Sequence, residues 1–132
     1  MLLTKASEYA LLSLIYISQT KSPQDVDSLS LKLDIPKSFL AKILQTLAKD
    51  GLLRSFKGAK GGFVLVKEPY EYTIKEIVNS AEKKDINIFE CSGGVCPNSK
   101  EENCTLMPVL VNLQNKVNDF LNSISLEDLL KK

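Results

Sequence analysis

Apolar and polar positions alternate along the chain with a period that changes twice. Over residues 5–18, apolar side chains occupy most sides of a helical projection (Tyr9, Ala10, Leu11, Leu12, Leu14, Ile15, Tyr16, Ile17). That pattern predicts a largely buried helix. Lys21-Ser22-Pro23 breaks it. Val26, Leu29, Leu31 and Leu33 predict a short second helix. Asp34-Ile35-Pro36-Lys37-Ser38 reads as a turn, with Pro36 or Ser38 near the start of the next element. Over residues 37–49, Leu40, Ile43, Leu44 and Leu47 recur at helical spacing and predict a third helix. Its other faces carry Lys37, Ser38, Lys42, Gln45 and Lys49, and Asp50-Gly51 places a glycine where a left-handed cap is expected.

The helical period then gives way to two short strand-like runs, residues 52–56 and 63–67. Between them lies the basic, glycine-rich turn Lys57-Gly58-Ala59-Lys60-Gly61-Gly62, so the segment predicts a β-hairpin. Residues 73–83 return to helical spacing through Ile74, Ile77, Val78 and Ala81, with Thr73 and Glu76 placed for a capping box. Residues 84–104 have no periodicity. A loop of that length is usually functional or disordered. A long apolar stripe follows, Leu106, Val109, Leu110, Leu113, Val117, Phe120, Leu121 and Ile124, and residues 125–130 form a last short helix.

The expected fold is therefore mainly α with a small β-hairpin: a winged helix-turn-helix plus a long C-terminal helix. Residues 1–83 make the DNA-binding module, 84–104 a separate loop, and 105–132 the long helix and its short successor. In such a module the third helix enters the major groove and its early residues meet base edges. Lys37, Ser38, Phe39, Lys42 and Gln45 are the candidates, with Gln and Ser able to donate and accept at base edges. Arg54, Lys57 and Lys60 would contact phosphate and set register, and Gly61 and Gly62 would let bare backbone approach it. The turn does not match a nucleotide-binding P-loop, because it joins two strands and lacks the required Gly-Lys-Ser/Thr.

Charge supports a polyanionic partner. The 132 residues hold 17 Lys+Arg and 16 Asp+Glu, a net +1. Residues 1–67 alone carry +5 and residues 68–132 carry −4. Between residues 36 and 67 the sole acid is Asp50. A local excess of this kind suits duplex DNA, although a solvated Lys-rich surface or a protein-binding winged helix would share it.

At 44% hydrophobic and 25% charged, the chain has the composition of an ordinary globular protein, with no run of membrane-spanning length and no signal-peptide pattern at its start. A cytoplasmic location is expected, where thiols stay reduced. With no His anywhere, Ser-His-Asp and Cys-His catalysis and imidazole metal ligation are excluded, and no enzyme is expected. The three cysteines, Cys91, Cys96 and Cys104, fall within fourteen residues of the aperiodic loop. Thiolates so placed can converge on one metal centre. A four-iron cluster (4Fe-4S) is the favoured reading and a two-iron cluster (2Fe-2S) the second. Zinc or a metal-free thiol sensor comes third.

Several of these segments together resemble the Rrf-two (Rrf2) family of winged-helix repressors, in its IscR-, NsrR- and RirA-like branches. They are helix 1 from Leu3-Thr4-Lys5, Phe39-Leu40-Ala41-Lys42-Ile43-Leu44, Leu47-Ala48-Lys49-Asp50-Gly51-Leu52-Leu53, the wing through Phe63, and the Cys triplet. The resemblance implies a homodimer joined through the long helix, binding a palindromic operator. It also implies an iron–sulfur cluster, sensing iron, redox state or nitric oxide, that changes DNA affinity. IscR-like members place a His three residues after the third Cys, where this chain has Met107. NsrR-like members use an acid near the start of helix 1, reaching from the partner subunit; Glu8 stands at the matching place as a fourth ligand. Acids in a helix's first turn are also favoured by the helix dipole alone. The alternative is a cluster-free or zinc-bound winged-helix regulator responding to thiol oxidation or a protein partner.

Overall fold

A computed structural model describes residues 4–85 and 105–130. Helix α1 (Lys5–Ser18) starts where the Thr4 hydroxyl accepts the Ala6 amide. It buries Ala10, Leu14 and Ile17 along one face, while Leu11, Ile15 and Tyr16 are half-buried and Leu12 is exposed. Helix α2 (Val26–Leu33) is capped by Asp25, whose carboxylate accepts the Ser28 amide at 2.7 Å. That bond holds the Asp25 carboxyl below its usual range. Asp34 ends α2 in the left-handed region at φ 55°, a conformation that short polar side chains tolerate. Helix α3 (Lys37–Lys49) follows directly from Pro36 and buries Leu40, Ile43, Leu44 and Leu47. Gly51, at φ +84°, turns the chain out of α3 as its position predicts.

Strand β1 (Leu53–Phe56) pairs antiparallel with β2 (Gly62–Leu65), Leu53 opposite Leu65 and Phe56 opposite Gly62. The hairpin is not free-standing. Phe63 exchanges two backbone hydrogen bonds with Gln24, at 2.8 and 3.1 Å, so the loop ahead of α2 forms a third rung beside β2. This contact is what requires glycine at position 62: a Cβ there would lie 2.6 Å from the Gln24 carbonyl carbon, and φ is +144°. A Cβ on Gly61 would lie 2.3 Å from the Phe56 carbonyl oxygen.

A 3₁₀ turn (Pro69–Glu71) leads to α4 (Ile74–Glu82). Thr73 caps α4 by accepting the Glu76 amide at 3.2 Å. The reciprocal half of the expected capping box is absent, because the Glu76 carboxylate pairs with Lys67 at 2.7 Å instead. A reciprocal box does form one turn earlier, between Glu68 and Glu71. Helix α5 (Met107–Ser123) carries Pro108 in its first turn, where no amide is needed. Helix α6 (Leu126–Leu130) returns the chain to the module: the Ile74 amide donates to the Ile124 carbonyl at 2.9 Å and the Leu126 amide to Tyr72 at 3.0 Å.

One core unites these elements. Leu14, Leu29, Leu40, Leu44, Leu47, Ile77, Val78 and Leu126 are fully buried in it. Each such side chain contributes about 1.5–3 kcal/mol of transfer free energy. Tyr72 is also fully buried, and its hydroxyl donates to the Leu52 carbonyl at 2.7 Å and accepts the Val66 amide at 3.0 Å. It thereby ties the end of α3 to the base of the hairpin. Burial pushes its phenol pKa up, against the opposing pull of the Val66 and Lys67 amides and the Lys67 charge.

Candidate nucleic-acid interface

The exposed residues of α3 and the hairpin are the candidates for a nucleic-acid interface. Ser38, Lys42 and Gln45 are exposed on α3, opposite the buried Leu40, Ile43, Leu44 and Leu47. In the hairpin Arg54, Lys57 and Lys60 are exposed, and Leu53 alone of β1 is buried. The single acid of this stretch is drawn away: the Ser80 hydroxyl of α4 donates to the Asp50 carboxylate at 2.6 Å.

Two of the predicted α3 residues have intramolecular partners. The Lys37 ammonium lies 2.5 Å from the Asp27 carboxylate of α2, which raises the Lys37 pKa. The Phe39 ring meets the Tyr9 ring of α1 edge-on, with centroids 5.5 Å apart, and is 42% exposed. Of the two wing glycines, Gly62 is buried and Gly61 half-buried. Their lack of a side chain answers to Gln24 and Phe56 of this chain, a reason internal to the hairpin.

Cys91, Cys96 and Cys104 lie outside the described residues. Among the described residues no three His, Cys, Asp or Glu side chains group to hold a metal. Glu8 is described: its carboxylate is exposed and paired with the exposed Lys5 at 3.2 Å. An ion pair of this kind is weakly held and exchanges readily. The Glu8 carboxylate is thus an oxygen donor not tied up by a strong internal partner.

The sequence reading missed the group that fixes the start of α1. Glu82, the last residue of α4, accepts from the Thr4 amide at 3.0 Å, from the Thr4 hydroxyl at 2.6 Å and from the Ser7 hydroxyl. Burial would raise its pKa, but the Ser7 and Thr4 hydrogen bonds outweigh that and hold the carboxyl below its ordinary value. No local pattern marks Glu82, since its partners are more than seventy residues away in sequence.

Among the described residues, no helix is long and apolar enough to cross a membrane. Residues 3–132 match the family described as Rrf2, iron-dependent transcriptional regulator. An HTH-type transcriptional regulator of Aquifex aeolicus is 28% identical, covering 98% of this chain and 92% of the relative. The HTH-type transcriptional regulator NsrR of Bacillus licheniformis is also 28% identical over 98% of this chain and 92% of its own length. The solved structure of CymR, the global cysteine regulator of B. subtilis, superposes with a TM-score of 0.75 at 23% identity, covering 98% and 96% of the two chains. With a three-helix module and a basic hairpin already in place, a match of this span makes the chain a member of the Rrf2 family of winged-helix transcriptional regulators.

Proposed function

We propose that this regulator is a cytoplasmic homodimeric repressor whose grip on a palindromic operator is set by an iron–sulfur cluster. The observation that carries the DNA half is the run of exposed cations from Lys42 through Arg54, Lys57 and Lys60, with its only acid, Asp50, turned to Ser80. Each α3 enters one major groove, where Ser38 and Gln45 read base edges. Lys37, Lys42, Arg54, Lys57 and Lys60 contact phosphate and set register.

The outer face of α5 supports the dimer. Leu106, Val109, Leu113 and Phe120 recur at helical spacing and are exposed, while Leu110 and Gln114 pack inward. A twofold pairing of these faces removes apolar surface from water and presents two α3 helices to two half-sites.

Cys91, Cys96 and Cys104 would hold the cluster, with 4Fe-4S favoured over 2Fe-2S, and Glu8 of the partner subunit would supply the fourth ligand. The cluster supplies a site whose presence or oxidation state reports on iron, redox state or nitric oxide. The chain's own part is to hold it between α1 and the segment leading into α5. There, occupancy biases the separation of the two recognition helices. A coupling of about 1–3 kcal/mol changes DNA affinity roughly 5- to 150-fold.

Anaerobically purified protein tests this reading. It should be brown, contain acid-labile sulfide, and shift promoter fragments with different affinity in its loaded and cluster-free forms. Colourless protein that takes up only zinc would replace the iron–sulfur reading with the zinc-bound one. Replacing Lys57 and Lys60 with Gln should weaken binding to every duplex and flatten its salt dependence by about two counterions. An unchanged salt dependence would take the wing off the DNA.

A further inference from the structure

An open cleft of about 680 Å³ lies between the end of α3, the exit of β2 and the last turns of α4. That volume falls in the range of small-molecule sites. Its wall carries both signs of charge: carboxylates from Asp50, Glu76 and Asp85, ammonium groups from Lys67 and Lys84, one negative charge in excess. Among the described residues these carboxylates do not group to hold a metal ion.

Part of this charge is already paired. Lys67 meets Glu76 at 2.7 Å and lies 4.9 Å from the centre of the Tyr72 ring. The Ser80 hydroxyl occupies one Asp50 oxygen. Among the described residues Lys84 has no ion pair, and Asp50 and Asp85 each keep one oxygen without a partner. Lys83 ends α4 in the left-handed region at φ 63°, uncommon for a residue with a side chain. It turns the chain back so that the Lys84 amide donates to the Asn79 carbonyl at 3.2 Å. Lys84 and Asp85 thereby join Asn79 and Ser80 on one wall. The Asn79 side-chain nitrogen donates to Asp85 at 3.3 Å, which fixes the orientation of the amide. Its oxygen is buried with no hydrogen-bond partner among the described residues. A buried acceptor without a donor is costly. The bond beside it is long and exposed, so a cation competing for Asp85 opens the way to that oxygen.

We propose that this cleft binds a basic amino acid. The charge count selects the class. Two carboxylates with an unused oxygen and one unpaired ammonium match a ligand with two cationic groups and one carboxylate. Such a ligand is positive by one charge, opposite to the wall. Its cations sit at Asp50 and Asp85, its carboxylate at Lys84, and the Lys67–Glu76 pair stays closed. The site uses neither Glu8 nor a cysteine, so it stands apart from the iron–sulfur reading.

L-arginine, titrated into the isotope-labelled full chain, is the probe. The amide resonances of Gly51, Asn79 and Lys84 should move saturably by about 10 mM, enough to fill a site with a millimolar Kd. Asp85→Asn and Lys84→Gln, both at exposed positions, should each weaken arginine binding about 10-fold, as loss of a hydrogen bond to a charged group does. Agmatine, which lacks the carboxylate, should bind wild type more weakly than arginine and bind Lys84→Gln no more weakly than wild type. A purely structural effect of Lys84 would weaken both ligands. Absence of a saturable shift, or arginine binding undiminished in Asp85→Asn, overturns the site. Agmatine or L-glutamate binding wild type as tightly as arginine overturns the assignment of a basic amino acid.

Discussion

Lys37, the first residue of the recognition helix, is held by Asp27 of the helix before it, Nζ to Oδ1 at 2.5 Å. Both side chains are mostly exposed, so the pair is a weak one in solvent. Its consequence is for binding. A phosphate approaching Lys37 must displace Asp27 and meets the carboxylate's repulsion as it does so. Asp27→Asn should therefore tighten binding to non-specific duplex, with the dependence of log K on log salt little changed because Lys37 neutralises a phosphate in both proteins. Titrations of wild type and variant at several salt concentrations measure both quantities. Unchanged affinity would mean that Lys37 does not reach the backbone.

Tyr72→Phe removes the hydroxyl that joins Leu52 to Val66 and leaves a buried carbonyl and a part-buried amide without that partner. A loss of about 1–3 kcal/mol is expected. Urea denaturation should show a lower midpoint at an unchanged slope.

Glu82 gives the fold an acid-sensitive clasp. Its folded pKa lies below the ordinary value of 4.5, so the stability it contributes is present at neutral pH. That contribution is lost as pH falls from about 4.5 through the lower folded value. Glu82→Gln should cost about 1 kcal/mol at pH 7, given hydrogen bonds to a partly exposed charge. The cost should shrink as the medium is acidified. Denaturation curves of both proteins at pH 7 and pH 4 check this; a difference independent of pH would show that the charge plays no part.

Phe120→Glu places a charge on the outer face of α5, where Phe120 is 62% exposed in the single chain. Sedimentation should report a monomer whose circular dichroism keeps the wild-type helix content. A variant that remains dimeric would move the interface off this face.

The helices were legible because their signals are local. Leu40, Ile43, Leu44 and Leu47 set α3 by spacing alone, and Asp50-Gly51 ends it where a left-handed cap is needed. The hairpin was legible from its basic glycine turn, shifted by a residue or two at its ends. What was not legible depends on partners distant in sequence. Gln24 gives no sign that it will bridge to Phe63, and Glu82 gives none that it will clasp Thr4 and Ser7. The long stripe after the loop mixes two faces, because Leu110 packs inward while Val109 and Leu113 stay exposed. The thiols Cys91, Cys96 and Cys104 were read from spacing and fall outside the described residues.

The bridge between Gln24 and Phe63 ties the hairpin to the loop ahead of α2. In the proposed complex, hairpin and helix pair would therefore meet a duplex as one joined contour. When two half-sites are spaced or twisted imperfectly, the misfit would then fall on the bending of the intervening base pairs or on the seam of the proposed dimer. Flexible pyrimidine–purine steps in that spacer, which no side chain touches, then become part of how an operator is chosen.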